Sequence, residues 1–295
     1  MGLRKDNTKW VLFLSSAREP DSRHVNDLVF GLQCLEAAGV QAKDIFIYID
    51  GANRALISNF MSNGTRSAIP IKTSADFFVD LQVNSHESMV MFVTGHGGID
   101  GIDANPPITP HKLLSGIKSA PHLNRAVIYL GQCHAGIFNY IGAGRKGKEG
   151  GHDPDVIFIG ATNLHESLSS STTETLVNGP LTWVANLFLL HVFKWISNPV
   201  DVDGDGRVTV MDSYKYAGVL SNMKSKQIKG QSFVESINLH QRWVAASAAD
   251  QAHSTPQTQL ALKSVEMQYD SQLQIRYVHQ ECWILNAIPA QQVEL

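Results

Sequence analysis

A cysteine and a histidine with glycine neighbours are the residues of this chain whose types and spacing can do chemistry. Cys133 lies within Gly131-Gln132-Cys133-His134-Ala135-Gly136, and His96 lies within Gly95-His96-Gly97-Gly98. A thiol is a strong nucleophile once it is deprotonated, and a nearby imidazole can take that proton. The sequence therefore predicts Cys133 as a nucleophile and His96 as its general acid/base.

Backbone N–H groups beside these two residues can bind an oxyanion. Gly97 and Gly98 permit a tight turn whose amide groups point into a cleft, and the amide of Cys133 stands at the end of a strand. We expect an amide of this turn and the amide of Cys133 to be the two donors. His134 is a rival base, but adjacent residues that leave a strand point to opposite sides, which favours His96. No third catalytic side chain can be named, and a backbone carbonyl could orient the imidazole.

The elements that must position these residues follow from the apolar pattern. Short β-rich runs alternate with helical patterns, which is typical of βαβ units and a mostly parallel sheet. The pattern predicts strands at 10–15, 44–49, 89–94, 126–130 and 156–161, and helices at 25–38, 75–81 and 111–119. Two of the strands run directly into the motifs of His96 and Cys133. Since the carboxyl ends of parallel strands share one edge of a sheet, we expect the two side chains to meet there.

The order of these motifs resembles the caspase-like clan of cysteine peptidases, which includes caspases, metacaspases, legumains and the catalytic subunit of GPI transamidase. Strand-His-Gly is followed by strand-x-x-Cys-x-Ala-Gly, as in that clan. Arg23-His24 looks like the Arg-His pair of legumains. Ala161-Thr162-Asn163 with His165-Glu166-Ser167 looks like the segment that borders the legumain S1 pocket. The resemblance covers approximately residues 10–170 and is closest to legumain-like or bacterial caspase-like members.

This resemblance implies the caspase-hemoglobinase fold, a three-layer α/β/α sandwich with a mostly parallel central sheet, and we assign residues 1–295 to a single peptidase domain. It implies an endopeptidase that hydrolyses a protein or peptide substrate through a thioester acyl-enzyme, with no cofactor for the chemistry. It also implies that the amides of Gly97 and Cys133 form the oxyanion hole. The implied substrate-binding residues are Arg23, His24, Glu166 and Ser167. The chain departs from the clan at Gly131, where caspases carry Gln, legumains Glu and metacaspases Asp.

The residue before the scissile bond, P1, is expected to be Asp or Asn. The guanidinium of Arg23 offers a planar fork of donors that suits a carboxylate or an amide. A Lys or Arg at P1 would need a carboxylate in the pocket, and Gly131 removes the position that would supply it.

A second constellation has the ligand spacing of an EF-hand. The segment 201–212 places oxygen ligands at the EF-hand positions, with Gly206 at the sharp turn. The predicted ligands are Asp201, Asp203, Asp205, the carbonyl of Arg207, Thr209 and Asp212. Helical patterns at 181–197 and 212–223 flank it, so residues 198–223 are interpreted as an inserted EF-hand-like Ca²⁺ loop and helix. Position twelve is Asp rather than Glu, as in dockerin-type loops, and the ion could be structural or regulatory.

Composition argues against several other classes of function. The 24 Lys and Arg and 27 Asp and Glu give a net charge of -3 without a basic block, so neither nucleic acid nor a membrane surface is expected as a partner. The apolar stretch 181–196 is too short and too polar to span a bilayer, and the run 10–14 is too short for a signal peptide. We therefore expect a cytoplasmic protein. The three cysteines do not suggest a disulfide framework.

The segment 142–155 is rich in Gly, Lys, Arg and Asp, which predicts an exposed loop. Clan members are often cut at this place during activation, so cleavage here is a further hypothesis. An activating protein partner is left open.

Three alternative functions are compatible with the same residues. A transpeptidase or ligase would pass the thioester to an amine instead of water. A cysteine-type α/β-hydrolase would use Gly131-x-Cys133-x-Ala135 as a nucleophile elbow, but its later acid and His are poorly placed. A calcium-dependent binding module on an inactive peptidase fold would usually have lost the Cys or the His, and both are present.

Overall fold

The computed structural model describes residues 2–4, 7–145, 153–278 and 280–295. The strands are β1 Thr8–Leu14, β2 Ile45–Ile49, β3 Ile71–Lys72, β4 Ser88–Thr94, β5 Gly97–Gly98, β6 Gly101–Ile102, β7 Arg125–Leu130, β8 Asp155–Gly160, β9 Ser169–Leu176, β10 Gly179–Asn186 and β11 Trp283–Leu285. The helices are α1 Ser22–Ala37, α2 Arg54–Met61, α3 Ser74–Gln82, α4 Pro110–Lys118, α5 Leu187–Ser197, α6 Val210–Ala252, α7 Pro256–Tyr277 and α8 Ala287–Ala290, with short 3-10 helices at Ala42–Asp44 and Ala135–Tyr140.

A mixed sheet of seven strands forms the core of residues 1–221 and 280–295. Its order is β11-β8-β7-β4-β1-β2-β3, and β11 alone among them runs antiparallel to its neighbour. The inner strands β1 and β4 are buried along their whole length, which explains their uninterrupted apolar runs. The mostly parallel sheet predicted from the sequence is confirmed, and the five predicted strands correspond to β1, β2, β4, β7 and β8.

Helices cover both faces of this sheet. On one face the ring of Phe92 stacks on Tyr129 at 5.3 Å and contacts Phe193 of α5 at 4.8 Å. On the other face the ring of Phe13 meets Phe77 of α3 edge-to-face at 5.3 Å. All these rings are fully buried. Truncation of one of them to Ala would cost about 3–5 kcal/mol, so the strands that lead to the motifs are rigid supports.

The segment 179–197 corrects one sequence prediction. The helix expected over 181–197 begins only at Leu187, because residues 179–186 form β10, which pairs with β9 in an antiparallel hairpin. Trp183 and Val184 favour a strand, and burial alternates along it. The side chain of Asn186 accepts a hydrogen bond from the amide of Leu189 at 3.0 Å, which fixes the start of the helix.

The chain divides into two compact units, residues 1–221 with 280–295 and residues 222–279. The expected single domain over 1–295 spans both. The helix predicted at 212–223 begins at Val210 and continues to Ala252 in the second unit, where α7 follows. The apolar run at 273–285 forms a strand only at Trp283–Leu285, because Pro256–Tyr277 is helical and Thr255 caps that helix.

No helix among the described residues is both long enough and apolar enough to cross a membrane. The loop predicted at 142–155 is described only at its ends, and residues 146–152, on which the cleavage hypothesis mainly falls, lie outside the described residues. At its two ends Lys118 donates to the carbonyl of Gly144 at 2.9 Å, and Arg145 lies 3.1 Å from the carboxylate of Asp155.

Candidate active site

The ends of β4 and β7 bring the two predicted motifs to the same edge of the sheet. The strands are parallel neighbours, with Val93 beside Leu130. After β4 the chain turns at Gly95, whose φ of +116 lies in a region that only glycine adopts readily. Gly97 then lies against the second motif: a Cβ added there would be 2.3 Å from the carbonyl oxygen of Cys133. The backbones of the two motifs are therefore in direct contact.

Two side chains from the start of α1 contact His96. Oδ2 of Asp21 lies 3.2 Å from Nε2 of His96, within hydrogen-bonding distance. The ring of His24 meets the ring of His96 edge-to-face at 4.9 Å. His24 is 6% exposed, whereas the side chain of His96 is 54% exposed. The imidazole of His96 is thus held on one side and open to solvent on the other.

The backbone after His96 is tied to the loop after β1. The amide of Asp103 donates to the carbonyl of His96 at 3.0 Å. The carboxylate of Asp103 accepts hydrogen bonds from the hydroxyl of Ser16 and the amide of Ala17, both at 3.2 Å. These bonds fix His96 relative to Asp21, which follows that loop.

The segment after β8 supports Cys133. The amide of Ser167 donates to the sulfur of Cys133 at 3.3 Å. The next residue, His134, has a left-handed backbone with φ of 54, and its amide donates to the carbonyl of His165 at 2.8 Å. The amide of Gly136 donates to the carbonyl of Asn163 at 3.0 Å. The predicted segment 161–167 therefore lies beside the nucleophile motif.

The thiol form of Cys133 is favoured at rest. Burial raises the pKa of Cys133, and the negative charge of Glu166 acts in the same direction. Amide donors, with that of Ser167 first, and the positive charge of Arg23 lower the same pKa but do not offset burial. An external base is needed to make the thiolate.

Burial raises the pKa of Cys34 and Cys282 to about 12. Neither is a candidate nucleophile at neutral pH.

Arg23 connects the two halves of the site. Its Nε lies 3.3 Å from Oδ2 of Asp21, and its Nη1 donates to the hydroxyl of Ser169 at 3.4 Å. Its charge also acts on Cys133. Of the other residues implied as substrate-binding, Glu166 is exposed and His24 is buried against His96.

A buried network beneath the site was not foreseen from the sequence. Asp27 accepts hydrogen bonds from the indole of Trp183 at 2.9 Å, the hydroxyl of Thr94 at 2.9 Å and the amide of Asn186 at 3.2 Å. The side-chain amide of Asn186 in turn donates to the carbonyl of Gly131 and, at 3.1 Å, to the hydroxyl of Ser167. The network joins α1 to the backbone of Gly131 and to the side chain of Ser167. Burial raises the pKa of Asp27 to about 6.

Packing explains the glycine at position 131. A Cβ there would be 2.6 Å from Cδ1 of Leu189 and 3.0 Å from the carbonyl oxygen of Val93. Leu189 is fully buried. A side chain at position 131 would therefore have to displace Leu189.

Sequence reasoning missed Asp21, Asp27 and Asn186. Asp21 lies two residues before Arg23 at the start of a helical pattern, where an Asp is also expected as a helix cap. Its residue type alone therefore does not distinguish a helix cap from a partner of the catalytic histidine candidate. Asp27 does carry a signal, because it interrupts the apolar face of α1. A charged residue on such a face is a reason to look for buried partners.

The segment 201–212, the acidic loop, brings three of its predicted calcium ligands together. Carboxylate oxygens of Asp201, Asp203 and Asp205 lie within 4.8 Å of one another. Asp212 is buried instead, and its two oxygens accept hydrogen bonds from the amides of Val202 and Thr209, each at 2.8 Å.

Other side chains of this loop contact protein groups. The hydroxyl of Thr209 donates to Asp212 at 3.0 Å. The guanidinium of Arg207 pairs with Glu294 at 2.9 Å, and Lys215 pairs with Asp203.

Comparison with known proteins finds distant structural similarity but no related sequence. No family model matches the chain, and no curated protein sequence is significantly similar to it. Among solved structures the chain is similar to caspase-1 from Spodoptera frugiperda, at 10% identity and a TM-score of 0.38, over 72% of this chain and 76% of that one. A similarity of this strength assigns no residue, so the roles proposed below are argued from the contacts alone.

Proposed function

We propose that this chain is a cysteine endopeptidase of the caspase-like clan, with Cys133 as the nucleophile and His96 as the general acid/base. The close approach of Gly97 to the Cys133 carbonyl carries the proposal, because it joins the two motifs at one edge of the sheet. The carboxylate of Asp21 orients the imidazole of His96. A nucleophile, a base and a residue that orients the base are the parts that covalent catalysis needs.

The hydrogen bond of Asp21 sets the tautomer of His96. When Nε2–H donates to the carboxylate, Nδ1 carries the lone pair that takes the proton of the thiol. The raised pKa of Cys133 supports proton transfer during attack instead of a resting ion pair.

The chemistry then follows in two steps. The sulfur attacks the scissile carbonyl carbon, the amides of Gly97 and Cys133 stabilise the oxyanion, and His96 gives its proton to the leaving amine. A water molecule, deprotonated by His96, attacks the thioester. The acid product leaves, and the proton returns to the sulfur of Cys133.

The position of Arg23 supports Asp or Asn at P1. Its Nη1 donates to the hydroxyl of Ser169, two residues after Ser167, whose amide donates to the sulfur of Cys133. A planar cation near the thiol favours a side chain with carbonyl or carboxylate oxygens.

Covalent labelling tests the proposal. A peptidyl electrophile with Asp or Asn at P1 is expected to modify Cys133 in the wild-type protein, and Cys133→Ala is expected to abolish labelling. His96→Ala should slow it strongly, whereas Cys282→Ala, the matched control, should leave it unchanged, because burial keeps that thiol protonated. Labelling that persists in Cys133→Ala would reject the assignment.

The acidic loop is proposed to bind Ca²⁺ as a structural ion. Three carboxylates converge, and Gly204 and Gly206 have φ values of +76 and +83, which give the tight turn that the loop needs. Tb³⁺ luminescence and calorimetric titration with Ca²⁺ test this. Asp203→Asn with Asp205→Asn should remove binding, whereas Asp270→Asn, an exposed acid elsewhere, should not. Binding that survives the double substitution would contradict the proposal.

A further inference from the structure

Three metal-binding side chains converge at the start of α1. Ligand atoms of Asp21, His24 and His96 lie within 4.8 Å of one another. The pair Oδ2 of Asp21 and Nε2 of His96 is already 3.2 Å apart. Two ligands of a tetrahedral Zn²⁺ ion with bonds of about 2.0–2.1 Å stand about 3.3 Å apart, so this pair has the required separation.

The exposure of the three side chains suits an ion that enters from solvent. His24 is 6% exposed and belongs to the first turn of α1, so its ring is a fixed anchor. The side chains of His96 and Asp21 are 54% and 51% exposed, so both can adjust by rotation. The open side leaves room for a water molecule as the fourth ligand.

We infer that Asp21, His24 and His96 form a binding site for a transition-metal dication of the Zn²⁺ class. Two imidazoles and one carboxylate, with a position left for water, are a ligand set that Zn²⁺ takes in proteins. Ca²⁺ and Mg²⁺ prefer oxygen ligands, so neither is expected to compete at this site. The acidic loop at 201–205 has only oxygen ligands and has the opposite preference.

Arg23 limits the affinity of the site. Its Nε lies 3.3 Å from the same Oδ2 of Asp21 that an ion would use, so the guanidinium must release that oxygen or share the carboxylate. A cation so close to the ion also repels it. Replacement of Arg23 by Gln should therefore tighten metal binding.

The consequence for catalysis rests on the proposed function. An ion bound to Nε2 of His96 takes the lone pair of that nitrogen, so the ring proton moves to Nδ1. Nδ1 then has no lone pair with which to accept the thiol proton. Zn²⁺ at this site would inhibit the peptidase reversibly, without any bond to Cys133.

Metal binding is measured in the full-length Cys133→Ala protein, which has neither peptidase activity nor the thiol ligand. Calorimetric titration with ZnCl₂ should show one site, and CoCl₂ should give the absorption of a four-coordinate site with nitrogen and oxygen ligands. Asp21→Asn and His24→Gln are each expected to weaken binding roughly tenfold or more, since each removes a ligand.

Controls separate this site from others on the chain. His134→Asn removes a histidine next to Cys133 and keeps a residue that tolerates the left-handed backbone, so binding should not change. Asp203→Asn with Asp205→Asn tests the acidic loop and should also have no effect on Zn²⁺. Should His24→Gln fail to fold, Asp21→Asn still decides, because the Asp21 side chain makes no capping hydrogen bond to α1.

Inhibition is then measured as the rate of peptidyl-electrophile labelling of Cys133 in the presence of ZnCl₂, with and without EDTA. Slower labelling that EDTA reverses, and that His24→Gln relieves, supports the site. If Cys133→Ala binds no Zn²⁺, or binds it equally well after Asp21→Asn, the inference is overturned even when the wild-type protein cleaves peptides. If Zn²⁺ binds as expected but no peptide or electrophile reacts with Cys133, the metal site stands and the peptidase proposal fails.

Discussion

The backbone of Gly97 lies so close to Cys133 that a Cβ at position 97 would stand 2.3 Å from the Cys133 carbonyl oxygen. Real Cβ atoms do not approach backbone oxygen so closely, so any side chain at position 97 must push the two strand ends apart. Gly98, one residue later, has no heavy atom within 4 Å of its added Cβ. The requirement for glycine is therefore specific to the residue that meets the Cys133 backbone.

Gly97→Ala should strongly reduce the reactivity of Cys133. The added methyl group would displace His96 relative to the thiol, and a misplacement of about 1 Å can cost roughly 100-fold in rate. The same overpacking should destabilise the fold by about 1–3 kcal/mol. The rate of labelling by a peptidyl electrophile and the free energy of unfolding in urea measure the two effects.

Gly98→Ala is the matched control for this change. It adds the same methyl group where nothing contacts it, and the φ of Gly98 is not in the left-handed region. Its labelling rate should stay within a factor of a few of wild type. Equal losses in the two variants would show that flexibility of the glycine pair, and not the contact with Cys133, is what matters.

The sequence predicts the sheet and the edge where the motifs meet because both depend on local patterns. Uninterrupted apolar runs identify β4 and β7, and glycines mark where each strand ends. Strand adjacency then follows from the general behaviour of parallel sheets. The partner of His96 was missed because Asp21 reaches it across a sequence separation of 75 residues, which no local pattern encodes.

The long helices of the second unit were missed for a different reason. Residues 222–252 of α6 and all of α7 lack a continuous apolar face, so the periodicity that identifies a core helix is absent. Residues 181–186 of β10 were predicted as part of a helix because the apolar residues at 181–196 run across the boundary at Asn186. Only the cap at Asn186 separates the two elements.

Gly131→Ala should destabilise the protein, and Leu189→Ala should partly relieve that cost. The new methyl group would lie 2.6 Å from Cδ1 of Leu189. Alone, Leu189→Ala should cost about 2–5 kcal/mol, because the side chain is fully buried. In urea unfolding the double variant should be more stable than the sum of the two single changes predicts, by about 1 kcal/mol or more.

Gly230→Ala is the control for the effect of Gly131→Ala. Gly230 lies within α6, and nothing lies within 4 Å of its added Cβ, so alanine should be neutral or slightly stabilising there. Strict additivity of Gly131→Ala and Leu189→Ala would mean that the Val93 carbonyl, and not Leu189, is the group that excludes a side chain.

Gln132→Met should stabilise the protein. Gln132 is 2% exposed, and neither its Oε1 nor its Nε2 has a hydrogen-bond partner among the described residues. An unsatisfied buried polar group costs about 1–3 kcal/mol, and Met has a similar volume without that cost. Gln280→Met is the comparison: Nε2 of Gln280 also has no partner among the described residues, but its Oε1 accepts from the amide of Leu168 at 2.9 Å, so this change should stabilise less than Gln132→Met or should destabilise. Loss of stability in Gln132→Met would indicate that buried water satisfies the amide.

Asp27→Asn should remove part of the pH dependence of stability. Burial raises the pKa of Asp27 to about 6, while donors such as Trp183 and Thr94 and the charge of Arg23 oppose that shift. An acid whose pKa is higher in the folded than in the unfolded state holds its proton better when folded. The contribution of protonated Asp27 to the free energy of unfolding is therefore complete at low pH and is lost as the pH rises from about 4 to about 6.

The measurement is the difference in unfolding free energy between wild type and Asp27→Asn at pH 4.5 and pH 7. Wild type should lose about 2 kcal/mol relative to the variant over this interval, because Asn does not ionise. Taking the difference removes groups that titrate in both proteins, such as His24, whose pKa burial lowers to about 3 and whose effect has the opposite sign. Asn keeps an oxygen for the indole of Trp183 and the amide of Asn186, so the variant should fold. A difference that is the same at both pH values would mean that Asp27 is ionised in the folded protein throughout this range.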